Sequence, residues 1–357
     1  MRVVVTAGGT GGHIYPALAI LKKIKEKEKD SEFIYIGTHN RMEKDIVPKE
    51  GYRYESLEIY GFSKTDIKRD IKNIKLINKA YKKSLKILSD FKPDIVLGFG
   101  GYVTYPVIKA AKKLKIKTCI HEQNSIPGKS NRLLARFADL IVVSFKDSEK
   151  YFPKNKVVYT GNPCSERALD IEKTSKMKYG LDKNKKSILC VQGSLGSTVV
   201  NNKMVEFLQS IDSEDYQVLY ITGKSSYDSF VKNKFSKNVF VVPFVENLSS
   251  LMKDFDILVS RAGATSISEI LAIGIPTIFI PSPYVANNHQ YYNALSLKEN
   301  NAGIMIEEKD LNKDILKEKI DLLLNNDLYY NDIKVNAKKM CVENSSTLIY
   351  EEIKKII

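Results

Sequence analysis

Val3-Val4-Val5-Thr6-Ala7-Gly8-Gly9-Thr10-Gly11-Gly12-His13-Ile14-Tyr15-Pro16 is the stretch whose reading decides the fold. Three β-branched residues at the start of the chain predict a buried first strand. Four glycines in the next five-residue window let the backbone turn tightly and another molecule approach it. Pro16 suits a first helical turn and leads into Ala17-Leu18-Ala19-Ile20-Leu21. A strand, a glycine loop and a helix start together favour anions, through free N–H groups and the helix dipole. The spacing is not the dinucleotide fingerprint, whose third glycine would fall on Ile14. It is not a phosphate-binding Walker loop either: the Gly-Lys-Ser at 128–130 has Gln123 in place of the leading glycine. His13 puts a titratable group at the strand end, where open α/β sheets bind ligands. A glycine turn with an incidental polar residue is the alternative reading of this stretch taken alone.

A chain of 357 residues accommodates two α/β domains, each with its own core. It opens in a strand with no basic-then-apolar leader, which predicts no signal peptide. No apolar run approaches a membrane span. Cys119, Cys164, Cys190 and Cys341 form no close pair and no metal spacing, which predicts reduced thiols in the cytosol. The net charge of +14 is unevenly placed. Residues 1–160 hold 32 Lys and Arg against 17 Asp and Glu, whereas 161–357 hold 24 against 25. A basic first half implies an anionic partner, either nucleic acid or a membrane surface. A genome biased toward Lys and Asn codons is the plainer source of part of it.

Outward from the opening stretch, strand and helix patterns alternate. Strands are predicted at 33–37, 53–57, 94–97, 118–121 and 140–143, with a long helix over 65–90. Gly98-Phe99-Gly100-Gly101 repeats the strand-to-glycine design. The pattern breaks near Gly161-Asn162-Pro163, and polar residues run to about Lys186. A second alternation begins at 187–191, with the loop Gln192-Gly193-Ser194-Leu195-Gly196-Ser197. Its further strands are predicted at 217–221, 239–242, 257–259 and 277–280. The expected fold is α/β: two Rossmann-like, doubly wound parallel-sheet domains facing across a cleft. The expected boundaries are 1–162, 163–340, and a helix over 341–357 packing back on the first domain.

In the second half, Ser260-Arg261-Ala262-Gly263-Ala264-Thr265-Ser266-Ile267-Ser268-Glu269 carries the most chemistry. A strand runs into small residues and then a helix with hydroxyls at its start, a geometry that suits a phosphate. Glu269, a turn in, can accept hydrogen bonds from both hydroxyls of a ribose. Helix capping by Ser or Thr is the competing explanation and is expected to contribute. Asn287-Asn288-His289-Gln290 can bind a neutral polyol, though alone it reads as a polar loop. His121-Glu122-Gln123-Asn124-Ser125-Ile126-Pro127-Gly128 is a polar turn after a buried strand. Asp254-Phe255-Asp256 has the form of a metal-binding pair but reads as structural charge before a strand.

Taken in order, Gly8–His13, Gly98–Gly101, His121–Gly128, Gly161–Pro163, Ser194–Gly196, Arg261–Glu269 and His289-Gln290 resemble the MurG family over nearly the whole chain. These bacterial glycosyltransferases add N-acetylglucosamine to lipid I in peptidoglycan synthesis. The resemblance implies a GT-B fold and an inverting, metal- and cofactor-independent transfer from UDP-N-acetylglucosamine. The acceptor would be the C4 hydroxyl of the muramyl sugar, giving a β-1,4 bond, lipid II and UDP. It implies that His13 is catalytic, taking the acceptor proton. Glu269 would hold the ribose, and Ala264, Thr265 and Ser266 the α-phosphate. Ser194 would cover the diphosphate, Phe244 and Val245 would flank the uracil, and His289 and Gln290 would contact the sugar. Thr10, Gly11, Gly12 and Asn124 would also meet the donor. Gly100, Gly101, Tyr102, Glu122 and Asn124 would face the acceptor. The implied partners are lipid I, an anionic membrane surface and other cell-wall synthesis proteins, with no nucleic acid. The implied location is peripheral, on the cytoplasmic face of the cell membrane, with roles in cell shape and division.

The chain departs from the family pattern at several positions. Gln192-Gly193 replaces two glycines, Ser197 stands where Ala is common, and Asn287 replaces an Asp. Cys164-Ser165 replaces an apolar residue and an Arg, so a diphosphate or inter-domain contact there would fall to Arg167. Three rival readings remain at this level. One is a transferase with another acceptor, such as diacylglycerol. Another is a UDP-sugar epimerase, which would need acidic residues around the sugar. The third is a non-catalytic nucleotide- or nucleic-acid-binding protein, for which the chain shows no recognised motif.

Overall fold

The structure is a computed structural model. It describes residues 1–61, 67–193, 197–211 and 215–357, leaving aside the side chains of 67–69 and 71. The three valines of β1 (Arg2–Thr6) are wholly buried, and β1 pairs in parallel on both sides. A strand flanked twice in parallel is covered on both faces, which explains a continuous apolar run rather than an alternating one.

The chain divides into two units, Met1–Cys164 with Asn344–Ile357, and Ser165–Glu343. In the first unit β1 is followed by α1 (Gly11–Lys27), β2 (Glu32–Thr38), α2 (Glu43–Lys49), β3 (Arg53–Leu57) and α3 (Ile67–Phe91). Next come β4 (Ile95–Gly98), α4 (Thr104–Lys113), β5 (Lys117–Glu122), α5 (Lys129–Leu134), β6 (Leu140–Val143) and β7 (Val157–Tyr159). The sheet order is β3-β2-β1-β4-β5-β6-β7, all parallel. Strand order reverses between β1 and β4, so their carboxyl ends flank the crevice where such sheets bind ligands. The sequence reading missed β7, a three-residue edge strand too short to carry a period.

α1 begins at Gly11, earlier than the proline suggested, and encloses Pro16. The first N–H groups of a helix have no partner within it, so glycines can form that turn without further loss. Pro16 forgoes only one bond, to the Gly12 carbonyl. His13 therefore stands in the first helical turn and not in a flexible loop.

The long helix α3 carries two faces. Tyr81, Leu85 and Leu88 pack with Val107, Ala110 and Ala111 of α4, while Lys72, Lys75, Lys79, Lys82, Lys83 and Lys86 are exposed. The C-terminal half of its apolar stripe is thus core. Ile74 is 59% exposed, and the side chains of Ile67, Lys68, Arg69 and Ile71 lie outside the described residues.

α6 (Cys164–Asp170) follows at the junction. The second unit then contains β8 (Lys186–Val191), α7 (Thr198–Gln209), β9 (Tyr216–Ile221), α8 (Tyr227–Phe230), β10 (Val239–Val242) and α9 (Leu248–Met252). It continues with β11 (Ile257–Ser260), α10 (Ala264–Ile273), β12 (Thr277–Phe279), α11 (His289–Glu299), β13 (Ile304–Met305), α12 (Lys313–Asn325) and α13 (Asp327–Met340). Its parallel order, β10-β9-β8-β11-β12-β13, switches between β8 and β11. Among the described residues, no helix is long and apolar enough to cross a membrane.

The last helix, α14 (Ser345–Ile356), belongs to the first unit. Ile349 and Ile353 enter the cluster of Val3, Val5, Ile14 and Ile20. Ser345 Oγ donates to the Thr160 carbonyl at 2.6 Å, and Ser346 Oγ to that of Pro163 at 3.2 Å. Glu28 accepts from Tyr350 Oη at 2.9 Å and Lys354 Nζ at 3.0 Å, and pairs with the N-terminal amine at 3.2 Å. Ile353→Ala should therefore lower the unfolding free energy of the first unit by about 2–5 kcal/mol. Denaturant unfolding would show this in the first unit's transition.

Candidate active site

The first-unit site is built where two glycine loops meet. Gly8 N–H donates to the Gly100 carbonyl at 3.3 Å, and the Thr104 hydroxyl donates to the same carbonyl at 2.8 Å. Gly100 and Gly101 have φ of +101° and +85°, in the left-handed region that favours glycine. A Cβ at 101 would stand 2.5 Å from the Gly8 oxygen, and one at 100 would stand 2.9 Å from the His13 ring. Both positions must be bare for the loops to interlock.

His13 Nδ1 lies 2.9 Å from the Gly8 carbonyl oxygen. A carbonyl only accepts, so Nδ1 carries the proton and Nε2 keeps its lone pair in the neutral ring. Thr10 is the N-cap residue of α1, but its side chain makes no capping bond. Thr10 is exposed, whereas Gly11 and Gly12 are half-buried beside His13.

The turn after β5 is organised by Glu122, and here the sequence reading needs correcting. Glu122 is 1% exposed. Its oxygens accept from Asn124 N at 3.0 Å, Asn124 Nδ2 at 3.2 Å, Gly128 N at 3.1 Å and Asn131 Nδ2 at 2.8 Å. A buried carboxylate with four internal donors shapes the loop and has little left for a ligand. Gln123 Nε2 donates to the Phe99 carbonyl at 2.6 Å, and Ser130 Oγ to that of Gly101 at 3.2 Å. Both bonds tie this turn, which contains half-buried Asn124, to the second glycine loop. Tyr102 packs at the edge of the core beside Gly61. His121 is buried, and burial first of all pushes its pKa down to about 3; a backbone bond to Gly161 opposes this and nearby His13 adds to it. It is therefore a neutral structural imidazole.

In the second unit the start of α10 lies directly after β11. Its N-cap residue is Gly263, and no side-chain capping bond is made there. The expected Ser/Thr cap is thus absent, because Ala264, Thr265 and Ser266 already lie inside the helix. N–H groups at an uncapped start are the kind that bind phosphate. Glu269 sits in the following turn. Burial raises its pKa to about 6, against the Arg167 charge and a hydrogen bond to Ser249. Neither Arg167 nor Ser249 was tied to Glu269 by the sequence, since nothing local links α6 and α9 to α10.

Arg261 braces the same end of the sheet. Its Nη2 pairs with Glu308 at 2.6 Å and donates to Ser197 Oγ at 2.8 Å, and Nη1 donates to the Ile280 carbonyl at 3.0 Å. Ser197 also caps α7, which accounts for a hydroxyl at that position. Ser194 lies outside the described residues. Phe244 is 40% exposed with Lys224 Nζ 4.9 Å above its ring, and Val245 beside it is buried. His289 opens α11 with Nδ1 2.8 Å from the Ala286 carbonyl, and Gln290 Oε1 accepts from Ser282 N at 2.9 Å. Asn287 and Asn288 take left-handed φ of 54° and 50°, which sharpens the turn before them. Asp254 accepts from Lys173 and Lys176, and Asp256 from Lys186 and Ser187, so both carboxylates serve the fold.

Two parallel sheets, each with a switch point, give the two-domain architecture of the GT-B fold. The profile of the glycosyltransferase family 28 N-terminal domain matches residues 3–143, and that of its C-terminal domain matches residues 187–348. The chain belongs to glycosyltransferase family 28, within the MurG group. A relative from Caldanaerobacter subterraneus is 44% identical, covering all of both chains, and one from Bacillus subtilis is 39% identical over 99% of this chain and all of its own. Both are named UDP-N-acetylglucosamine–N-acetylmuramyl-(pentapeptide) pyrophosphoryl-undecaprenol N-acetylglucosamine transferase. The crystal structure of Acinetobacter baumannii MurG matches with a TM-score of 0.80 at 25% identity, over 99% of each chain. A UDP-GlcNAc 2-epimerase from Neisseria meningitidis matches at 0.68 and 17% identity, covering 99% of this chain and all of that one, which shows a shared fold alone.

A carboxyl group with a pKa of about 6 is ionised at pH 8 and mostly protonated at pH 5. Were the ribose hydroxyls of a UDP-sugar to donate to this carboxylate, the protonated form would bind them less well. Affinity for UDP-N-acetylglucosamine should fall about tenfold between about pH 8 and pH 5, with proton release on binding near pH 6. The esterified phosphates of this probe do not titrate there, unlike the terminal phosphate of UDP. Calorimetry in buffers of different ionisation enthalpy checks both, and Glu269→Gln should abolish the dependence.

Proposed function

We propose that this chain transfers N-acetylglucosamine from UDP-N-acetylglucosamine to the C4 hydroxyl of the muramyl sugar of lipid I, with inversion, forming lipid II and UDP. The observation that carries the reading is the relationship over the whole length of the chain. At 42% identity to the Bacillus pumilus transferase, covering all of this chain and 99% of that one, both units share descent with an enzyme of that name. His13 and Glu269 occupy the two switch points, where their chemistry is of use.

In this reading Glu269 holds the ribose, and the N–H groups at the start of α10 take the α-phosphate with Thr265 and Ser266. Exposed Phe244 and buried Val245 flank the uracil, and His289 and the Gln290 amide meet the sugar. Thr10, Gly11 and Gly12 at the start of α1, with Asn124, complete the donor contacts from the first unit. Gly100, Gly101, Tyr102 and Asn124 face the acceptor. The acceptor hydroxyl gives its proton to His13 Nε2 as its oxygen bonds to the anomeric carbon. The bond from that carbon to the diphosphate breaks, and UDP leaves with the electron pair. Helix N–H groups stabilise the charge that develops on the leaving oxygen. No metal or other cofactor is needed in this scheme.

UDP release from UDP-N-acetylglucosamine, measured with and without a lipid I analogue, tests the assignment. Acceptor-dependent release is expected, whereas an epimerase would convert the donor with no acceptor present. His13→Ala should lower turnover roughly 10²–10⁴-fold while UDP affinity stays near normal. Near-normal turnover would reduce His13 to a structural member of the glycine loop.

The exposed lysines of α3 support a peripheral position on the anionic cytoplasmic face of the membrane, where a lipid-borne acceptor resides. Near such a surface each lysine contributes on the order of 1 kcal/mol, less at high salt. Replacing Lys72, Lys75, Lys79 and Lys82 by Glu should abolish salt-sensitive sedimentation with anionic liposomes and leave UDP binding intact. Equal sedimentation of the unaltered protein with neutral and anionic liposomes would exclude α3 as the docking face.

A further inference from the structure

Beneath the first glycine loop lies a charged group that the transfer scheme does not use. Glu43, the first residue of α2, is 0% exposed. Its Oε1 accepts from the Thr38 backbone N–H at 3.0 Å and the Thr38 hydroxyl at 2.6 Å. Its Oε2 accepts from the Gly9 N–H at 3.2 Å. Oε1 stands 2.6 Å from where a Cβ on Gly8 would lie. Among the described residues, no Lys, Arg or His lies within ion-pair distance of it. A carboxylate buried without a cation is costly, and its hydrogen bonds are all that offset that cost. An apolar side chain would fill the same space without it. What the carboxylate provides is a bidentate clamp between the end of β2 and the loop after β1.

We propose that Glu43 is a positioning residue for the transfer reaction: by holding the Gly9 N–H and seating Gly8 against its own oxygen, it aims the Gly8 carbonyl at His13 Nδ1. The relay is short and each link is in hydrogen-bond or contact range. Glu43 Oε2 fixes Gly9, the Gly8 carbonyl receives Nδ1–H at 2.9 Å, and the ring lies against Gly100. Holding Nδ1 protonated leaves Nε2 as the lone-pair nitrogen, the form a general base needs. The inference rests on the reading of His13 as the base.

Glu43→Gln isolates the clamp. An amide has one oxygen, and two donors on Thr38 already claim the Oε1 side, so its NH₂ is left facing the Gly9 N–H. Two donors then oppose each other and the loop is released, while the anchor to β2 remains. Thr38→Val is the control: it removes one donor on the far side and keeps the bond to Gly9. Two readouts are needed, the ¹⁵N ring signals of His13 in histidine-labelled protein, assigned through His13→Ala among only four histidines, and steady-state kinetics per folded molecule. In Glu43→Gln the His13 signals should move from the Nδ1–H tautomer toward a mixture. Its kcat should fall about 10- to 100-fold, the scale of a small misplacement at a reacting group, with the KM for UDP-N-acetylglucosamine unchanged. Thr38→Val should lose stability but keep the signals and kcat of the unaltered protein. Unchanged His13 signals in Glu43→Gln overturn the proposal, as does a loss of kcat that Thr38→Val reproduces in full. If the signals move and kcat does not, His13→Ala decides. An inactive His13→Ala overturns the link to catalysis, whereas an active one removes His13 as the base and leaves the positioning of its ring standing.

Discussion

The carbonyl of Gly8 is the constraint on which the first unit's site depends. It follows β1 at the point where strand order reverses, so it faces the crevice rather than a neighbouring strand. It accepts the Nδ1 proton of His13, and it stands so close to Gly101 that no side chain fits between them. Moving it would alter the orientation of the imidazole and the seat of the second glycine loop at once. Bonds reach the loop from α2, where Glu43 accepts from Gly9, and from the loop after β4, where Gly100 accepts from Gly8, so tertiary contacts hold it in place. Glycine here supplies close approach, and the neighbouring side chains supply the rigidity that glycine lacks.

Three buried or half-buried carboxylates show how the same group is put to different uses. Glu43 accepts from two backbone N–H groups and a hydroxyl, and Glu122 from two backbone N–H groups and two side-chain amides. Their capacity is spent inside the protein. Glu269 has a hydroxyl partner in Ser249 and a nearby cation in Arg167, yet burial still dominates and lifts its pKa to about 6. An acid held above its ordinary range is one whose charged form has too few partners to offset its burial. Hydroxyl donors from a ligand would supply them, so the unliganded strain and the binding preference have one cause.

The alternation of strands and glycine loops was legible because parallel strands need long apolar runs and crossover helices. His13 and the start of α10 could be found for the same reason, since ligands bind such sheets where a glycine or small-residue turn follows a strand. Other features rest on contacts distant in sequence. Glu122 looked ligand-facing because a polar turn after a buried strand does not reveal that Asn131, nine residues on, takes one of its oxygens. Nothing local in the sequence marks Gly9 as the partner of Glu43. The apolar stripe on α3 has a period that fits a membrane surface and a protein core equally well. The contacts of Tyr81, Leu85 and Leu88 with α4 decide for the core in that half.

The uneven charge follows from how each substrate would arrive. A soluble nucleotide sugar reaches its site by free diffusion, and fixed dipoles at a helix start can hold its diphosphate without an excess of lysine. The second half of the chain accordingly carries nearly balanced charge. Under the proposed function a lipid-borne acceptor would be confined to a surface, and the protein would have to reach that surface in the right orientation. Long-range attraction does this best when cations are spread over a rigid face. α3 supplies such a face because Tyr81, Leu85 and Leu88 are anchored on α4, leaving the lysines of that half projecting from the helix. Core packing and surface charge are then two faces of one amphipathic pattern, and the apolar face does not need to enter the bilayer for the basic face to act.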